Sequence, residues 1–314
     1  MPILGTAASQ NTKSFLTSPR YIGISNPAIY GDPNPTHYST DGITWSSSIM
    51  PVNEYAWSAT VYGKDKFIAV PNGGSNCCNS TDGITWTLRT MPYAQYWEAV
   101  YGNGVFIVCT RLASYVARST DGVTWTNHDL PDYGNVGYCT FGNGKFVLIT
   151  GGYGSRSNTS FVSTDGITWT TGTFPNNSEM GTAIAYGSGV YLSISGGNSD
   201  ISATSTDGIT WTQRTLPFSP YTADLVYGNG VFVLTAYGTN SYVSTNGISW
   251  TTGTIGQGYW GSTYGGNLTY GNGVFVAAGA YDSTVSTSTN GLTWTKRTIS
   301  VLEMSALSYG DIPR

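Results

Sequence analysis

The stretch Ser80-Thr81-Asp82-Gly83-Ile84-Thr85-Trp86 recurs, with small variations, seven times along the chain. The copies end at Trp45, Trp86, Trp125, Trp169, Trp211, Trp250 and Trp294, at intervals of 39 to 44 residues. A fixed turn signature with a period in the forties marks an array of like units, stacked or radial. A unit of that length cannot bury a core alone, so the 314 residues read as one array rather than two globular domains.

Outward from the box, the clearest unit runs from Thr222 to Thr252 and reads as four short strands. The first ends at Tyr227, and Gly228-Asn229-Gly230 turns the chain into a second carrying Val231, Phe232, Val233 and Leu234. A third leads into Asn246-Gly247, and a fourth carries Ile248 and Trp250. Asn-Gly and Asp-Gly supply the positive φ angles that two-residue hairpin turns require. The first turn recurs at Tyr101-Gly102-Asn103-Gly104, Phe141-Gly142-Asn143-Gly144, Tyr186-Gly187-Ser188-Gly189 and Tyr270-Gly271-Asn272-Gly273. The opening unit lacks a first strand, while the chain ends with one, Glu303 to Asp311, that nothing follows. Pairing 303–311 with 20–25 removes the open edges such an array would leave exposed. The expectation is an all-β, seven-bladed β-propeller over residues 20–314, with four-stranded antiparallel blades. Residues 1–19 match no unit and are read as an N-terminal arm or attachment segment.

Composition agrees with that class. Charged residues are only 10%, aromatics 14%, and Gly numbers 41. The net charge of −4, with scattered Lys and Arg, provides no basic stripe for nucleic acid. No apolar run is long enough to span a membrane, and the start has no basic and apolar leader, so neither insertion nor a secretory signal is expected. Cys77, Cys78, Cys109 and Cys139 fit no zinc spacing and are read as free thiols in strands. No metal and no cofactor are expected.

The box resembles the Asp-box, or BNR repeat, of sialidase-type propellers, with one residue fewer between Asp and Gly than the usual box. Its acidic position holds Asp41, Asp82, Asp121, Asp165 and Asp207, then Asn246 and Asn290. Asn keeps the acceptor oxygen and loses the charge, which suits a turn and would ruin an acid or a metal ligand. The box residues are therefore read as structural, with the seven tryptophans filling the space between sheets. The resemblance would imply sialidase chemistry if three inner-strand arginines were present. Here Arg89, Arg214 and Arg297 instead share an outer-strand register three residues after the box Trp. The chain is not expected to be an enzyme of that kind.

Candidate binding residues lie in the variable connections between the last strand of one unit and the first of the next. Trp57, Trp97 and Trp260 fall outside the box positions, with Tyr55, Tyr96 and Tyr259 beside them. Aromatic faces with Asn, Ser and Gly suit sugar rings and also protein surfaces. Glu54, Glu98 and Glu303 are expected at the starts of neighbouring inner strands, near one side of the channel mouth.

Three functions stay open. One is a non-enzymatic recognition module for a glycan or cell-surface receptor. A second is a structural virion protein contacting other virion components through residues 1–19, since the opening Met1-Pro2-Ile3-Leu4-Gly5-Thr6 is similar to the starts of phage tail proteins. The third is a glycoside hydrolase using a glutamate pair.

Overall fold

The computed structural model describes residues 17–25, 34–52, 57–132, 135–151, 158–175, 180–195, 199–220, 223–259, 267–279, 283–299 and 304–313. Every regular element among the described residues is a β-strand. These pair antiparallel into six hydrogen-bonded sheets in a propeller-like arrangement: four of four strands, one of three and one of seven.

Two sheets depart from four strands for local reasons. In the seven-stranded sheet, Thr87–Gly102 runs unbroken for 16 residues. It pairs with Gly74–Ser80 through its first half and with Val105–Arg111 through its second. The connection expected around Tyr96 and Trp97 is therefore strand, not loop. In the three-stranded sheet, Val231–Ser244 carries the second and third positions of its repeat on one continuous element.

The two ends of the chain meet. Thr17–Ser25 lies between Pro35–Ser39 and Met304–Pro313, with Tyr21 opposite both Ser39 and Tyr309. Pairing begins at Thr17, opposite Pro313, so the last three residues of the stretch read as an arm belong to this sheet.

The turns explain the strand ends. Asn103, Asn143, Ser188, Asn229 and Asn272 take φ between 45° and 49°, each followed by a glycine with φ between 72° and 80°. Two consecutive left-handed residues make the type I′ turn whose twist matches a β-hairpin. In the box, the Asp121 Oδ1 accepts the N–H groups of Val123 and Thr124, each at 2.8 Å, and the Ser119 hydroxyl at 2.9 Å. Burial alone would raise this carboxyl, but those bonds outweigh it and hold it at about 2. Asn246 and Asn290 make the same backbone contacts through Oδ1, at 2.9–3.0 Å. The geometry of the box thus needs an acceptor oxygen and no charge.

The core lies between neighbouring sheets. Second strands are buried on both faces: Phe67 to Val70, Phe106 to Cys109 and Phe146 to Ile149 are all 0% exposed. Box tryptophans Trp86, Trp125, Trp169 and Trp211 close these layers, and Phe106 meets Trp125 at 6.4 Å between centroids. Each fully buried Phe or Val contributes roughly 1.5–3 kcal/mol by leaving water. The four cysteines are free and buried within the same layers.

The inner strands approach one another so closely that each requires a glycine. A Cβ on Gly63 would lie 2.1 Å from the Tyr101 ring, and one on Gly102 2.2 Å from Phe141. The series continues through Tyr186, Tyr227, Tyr270 and Tyr309, until Gly310 meets Tyr62 at 2.2 Å. Only a residue without a side chain lets an aromatic ring lie on the adjacent strand at that distance.

Candidate functional site: the axial cavity

The strands joined by this girdle of aromatic rings also surround a cavity of about 100 Å³. Seven strands contribute to its wall, among them Trp57–Gly63, Val136–Gly142, Ala223–Gly228 and Met304–Pro313. One register dominates the lining. Three residues before each girdle aromatic stand Ala59, Glu98, Tyr138, Ala183, Asp224, Asn267 and Ala306. All of these except Asn267, whose neighbour Leu268 takes its place, line the cavity. The lining therefore mixes ionisable and small residues. Glu98, Tyr138 and Asp224 bring ionisable groups, while Ala59, Ala183 and Ala306 at the same register leave space between and beside them.

Asp224 is 6% exposed, and its Oδ2 accepts the Asn267 N–H at 2.7 Å. The Asn267 amide, oriented to donate, reaches the carbonyls of Met304 and Ser305 at 3.2 Å each, tying this wall to the C-terminal strand. Burial pushes the Asp224 carboxyl up to about 7, and the Asn267 N–H only partly offsets it. Glu98 is pushed up to about 8, first by burial and then by the charge of Asp224. Glu98 is half-buried by surface area although protein encloses its carboxyl group, because the accessible part belongs to the cavity wall. Burial also raises the Tyr138 phenol. The Arg111 guanidinium lies over the Trp97 ring, 4.8 Å from its centroid, so the charge is held behind the indole. Two carboxyl groups near neutrality, a phenol and no lining cation make a small acidic chamber that can donate or accept protons.

The residues expected from sequence fare unevenly. Glu98 lines the cavity. Trp97 is buried beside it at 9% exposure, with the Arg111 guanidinium over its ring, rather than standing in a surface loop. Trp57 is 0% exposed and packs with Ile22, Met50, Phe67 and Trp86, so it belongs to the core and not to a binding surface. Tyr96 is also fully buried, and its hydroxyl donates to the Pro92 carbonyl. Both start or continue inner strands, which turns their rings between sheets. Tyr55, Trp260, Glu54 and Glu303 lie outside the described residues, as does the side chain of Tyr259. Glu54 and Glu303 stand eight and six residues before their girdle tyrosines, Glu98 three, so the three glutamates do not share a register. Tyr138, Asp224 and Asn267 were not anticipated. The signal was the position counted back from the girdle aromatic, tyrosine or Phe141, which a search by glutamate alone passes over.

Among the described residues no group of three or more His, Cys, Asp and Glu side chains is placed to hold a metal ion, and no helix is long and apolar enough to cross a membrane.

No family model matches this chain, and no curated protein does. Solved structures show the class of fold, a β-propeller. A catalytically inactive variant of virginiamycin B lyase from Staphylococcus aureus, with quinupristin, superposes with a TM-score of 0.69 at 13% identity, covering 93% of this chain and 96% of that one. A protein from Lactobacillus plantarum gives 0.66 at 10% identity, over 94% and 99%. YCF48 from Cyanidioschyzon merolae gives 0.57 at 16% identity, over 77% and 84%. At such identities the likeness is one of fold alone.

Proposed function

We propose that the chain is a seven-bladed propeller acting as a recognition module, which takes a polar group of a glycan-type ligand at the axial cavity. Seven boxes, seven strands lining one cavity, and a girdle that returns from Gly310 to Tyr62 support the count of seven. On this count the seven-stranded sheet is two blades sharing Thr87–Gly102.

The observation that carries the binding role is the convergence of Glu98, Tyr138 and Asp224 on the lining of one small cavity. Buried carboxyl groups are costly unless something compensates them, and sites of perturbed pKa are where function concentrates. At about 100 Å³ the cavity falls below the roughly 300–1,000 Å³ of pockets that engulf a whole ligand. It suits one protruding group, with the rest of the ligand spread over the surrounding loops. Two structures of similar fold carry ligands, quinupristin in one and a D1 peptide in YCF48, so the scaffold is compatible with such a role.

A glycan array probed with the wild-type protein and with Glu98→Gln and Asp224→Asn tests this reading. Binding by the wild type that falls at least about tenfold in the variants, or about 1.4 kcal/mol, supports it. A wild type that binds no glycan, or variants that bind equally well, refutes it.

A second reading has a specific observation in its favour. Glu98 holds a proton near neutrality and Asp224 lines the same cavity, and glycoside hydrolysis uses a pair of carboxyl groups flanking the scissile bond. Release of reducing ends from a polysaccharide, abolished in Glu98→Gln, would favour it over simple recognition.

A further inference from the structure

Glu98 is enclosed by protein, lines the cavity, and has no hydrogen-bond or ion-pair partner among the described residues. Asp224 uses Oδ2 for the Asn267 N–H and leaves its other oxygen uncommitted among the described residues. Thr60 and Thr182 also line the cavity, but their hydroxyls are spent on Ser308, at 2.7 Å, and on the Ile194 carbonyl, at 3.4 Å. What the lining offers a ligand is thus two carboxyl groups, which accept hydrogen bonds and become anionic when they give up their protons to a base or beside a cation, and one phenol. Two carboxyl groups lining one small cavity without a cationic partner there offer a place where a compensating ligand group fits.

Groups of three chemistries fit such a space, and the lining discriminates among them. A hydroxyl brings one proton and no charge. A divalent cation takes six or more oxygen ligands and usually several carboxylates, which this wall does not assemble. An ammonium brings three donors, no acceptor and a single charge on a compact head. We propose that the axial cavity is a site for one primary ammonium group, presented by an amino sugar. The proposal rests on the recognition reading above and specifies its ligand.

The charged and titratable groups facing Glu98 are Asp224, the Tyr138 phenol and the Cys139 thiol, with Arg111 acting on Tyr138 from behind Trp97. None of the residues lining the cavity is a lysine or an arginine, so the ligand's charge has no competitor there. As pH rises toward 8 the two carboxyl groups ionise and the site gains affinity, until the amine loses its own proton.

Isothermal titration calorimetry at about pH 7.5 tests the proposal with three probes: a fully deacetylated glucosamine tetramer, its N-acetylated counterpart, and N-acetyl-lysine amide. The expected result is tetramer binding at least about tenfold tighter than that of the acetylated form. Glu98→Gln and Asp224→Asn should each weaken it about tenfold, while Tyr93→Ala, at an exposed site away from the cavity wall, leaves it unchanged. Equal binding of the amino and acetylated tetramers, abolished in the variants, overturns the ammonium proposal and leaves the glycan reading standing. Binding of the lysine amide with neither tetramer upholds the ammonium chemistry and overturns both its sugar source and the glycan reading. No binding of any probe overturns the proposal. Retained thermal unfolding in each variant shows that lost affinity is not lost folding.

Discussion

Glu98→Gln should stabilise the protein, and more so as pH rises. The carboxyl group lies near 8 in the folded chain against an ordinary 4.5. Between those values the folded chain keeps a proton that the unfolded chain has released, so stability is complete below the lower value and is lost as pH climbs to the higher one. At about 1.36 kcal/mol per pKa unit the ceiling is about 5 kcal/mol, which water reaching the half-buried side chain screens to roughly 2 kcal/mol. Gln keeps the shape and abolishes the titration. Asp224, raised from 3.8 to about 7, adds a slope of the same sign at lower pH, and the two titrate as a pair. His37 opposes them on the acid side. Burial lowers its imidazole to about 4, between Ser25 at 2.8 Å and Ser47 at 3.0 Å, so stability is lost as pH falls below 6.5. Wild-type stability should therefore decline from about pH 6.5 to 8, where His37 no longer compensates. Urea unfolding of both proteins across that range is the assay. The variant should show a flatter profile and an advantage of roughly 2 kcal/mol at the alkaline end. An unchanged slope, or a variant less stable at pH 8, refutes the assignment of Glu98 to an enclosed acidic wall.

Three further outcomes follow from the scaffold. Asp121→Asn should fold with nearly unchanged stability, because Asn246 and Asn290 already serve that turn, whereas Asp121→Ala should cost about 1–2 kcal/mol in thermal unfolding by orphaning two N–H groups. Gly228→Ala should cost about 1–3 kcal/mol, since its Cβ would lie 2.2 Å from the Tyr270 ring, and Tyr270→Ala should relieve part of that cost in a double-mutant cycle. Deleting residues 1–25 removes the strand between Pro35–Ser39 and Met304–Pro313 and should give aggregation visible by light scattering.

The all-β, propeller-like architecture was legible because it rests on local chemistry repeated many times. The Asp-Gly and Asn-Gly turns announce hairpins, and the unmatched strand at Tyr309 announces its partner near Tyr21. The site was less legible because it depends on convergence. Glu98, Tyr138 and Asp224 lie as many as 126 residues apart, and only counting back from each girdle aromatic, Phe141 among them, puts them at one register around the cavity. Trp57 and Tyr96 looked like surface aromatics because they fall outside the box register. Strand pairing reaches further than the turn signals show, however: Trp57 already pairs with Pro71, and Tyr96 with Thr110. Their rings are consequently committed to packing.

The central claim is that the axis of the propeller is where this protein meets its ligand. A crystal structure grown with the glucosamine tetramer at about pH 7.5 addresses it directly. The account predicts an amine nitrogen within hydrogen-bond distance of both Glu98 and Asp224, at the centre of seven blades. A sugar bound on the outer rim with the axial cavity untouched, or a blade count other than seven, would contradict it.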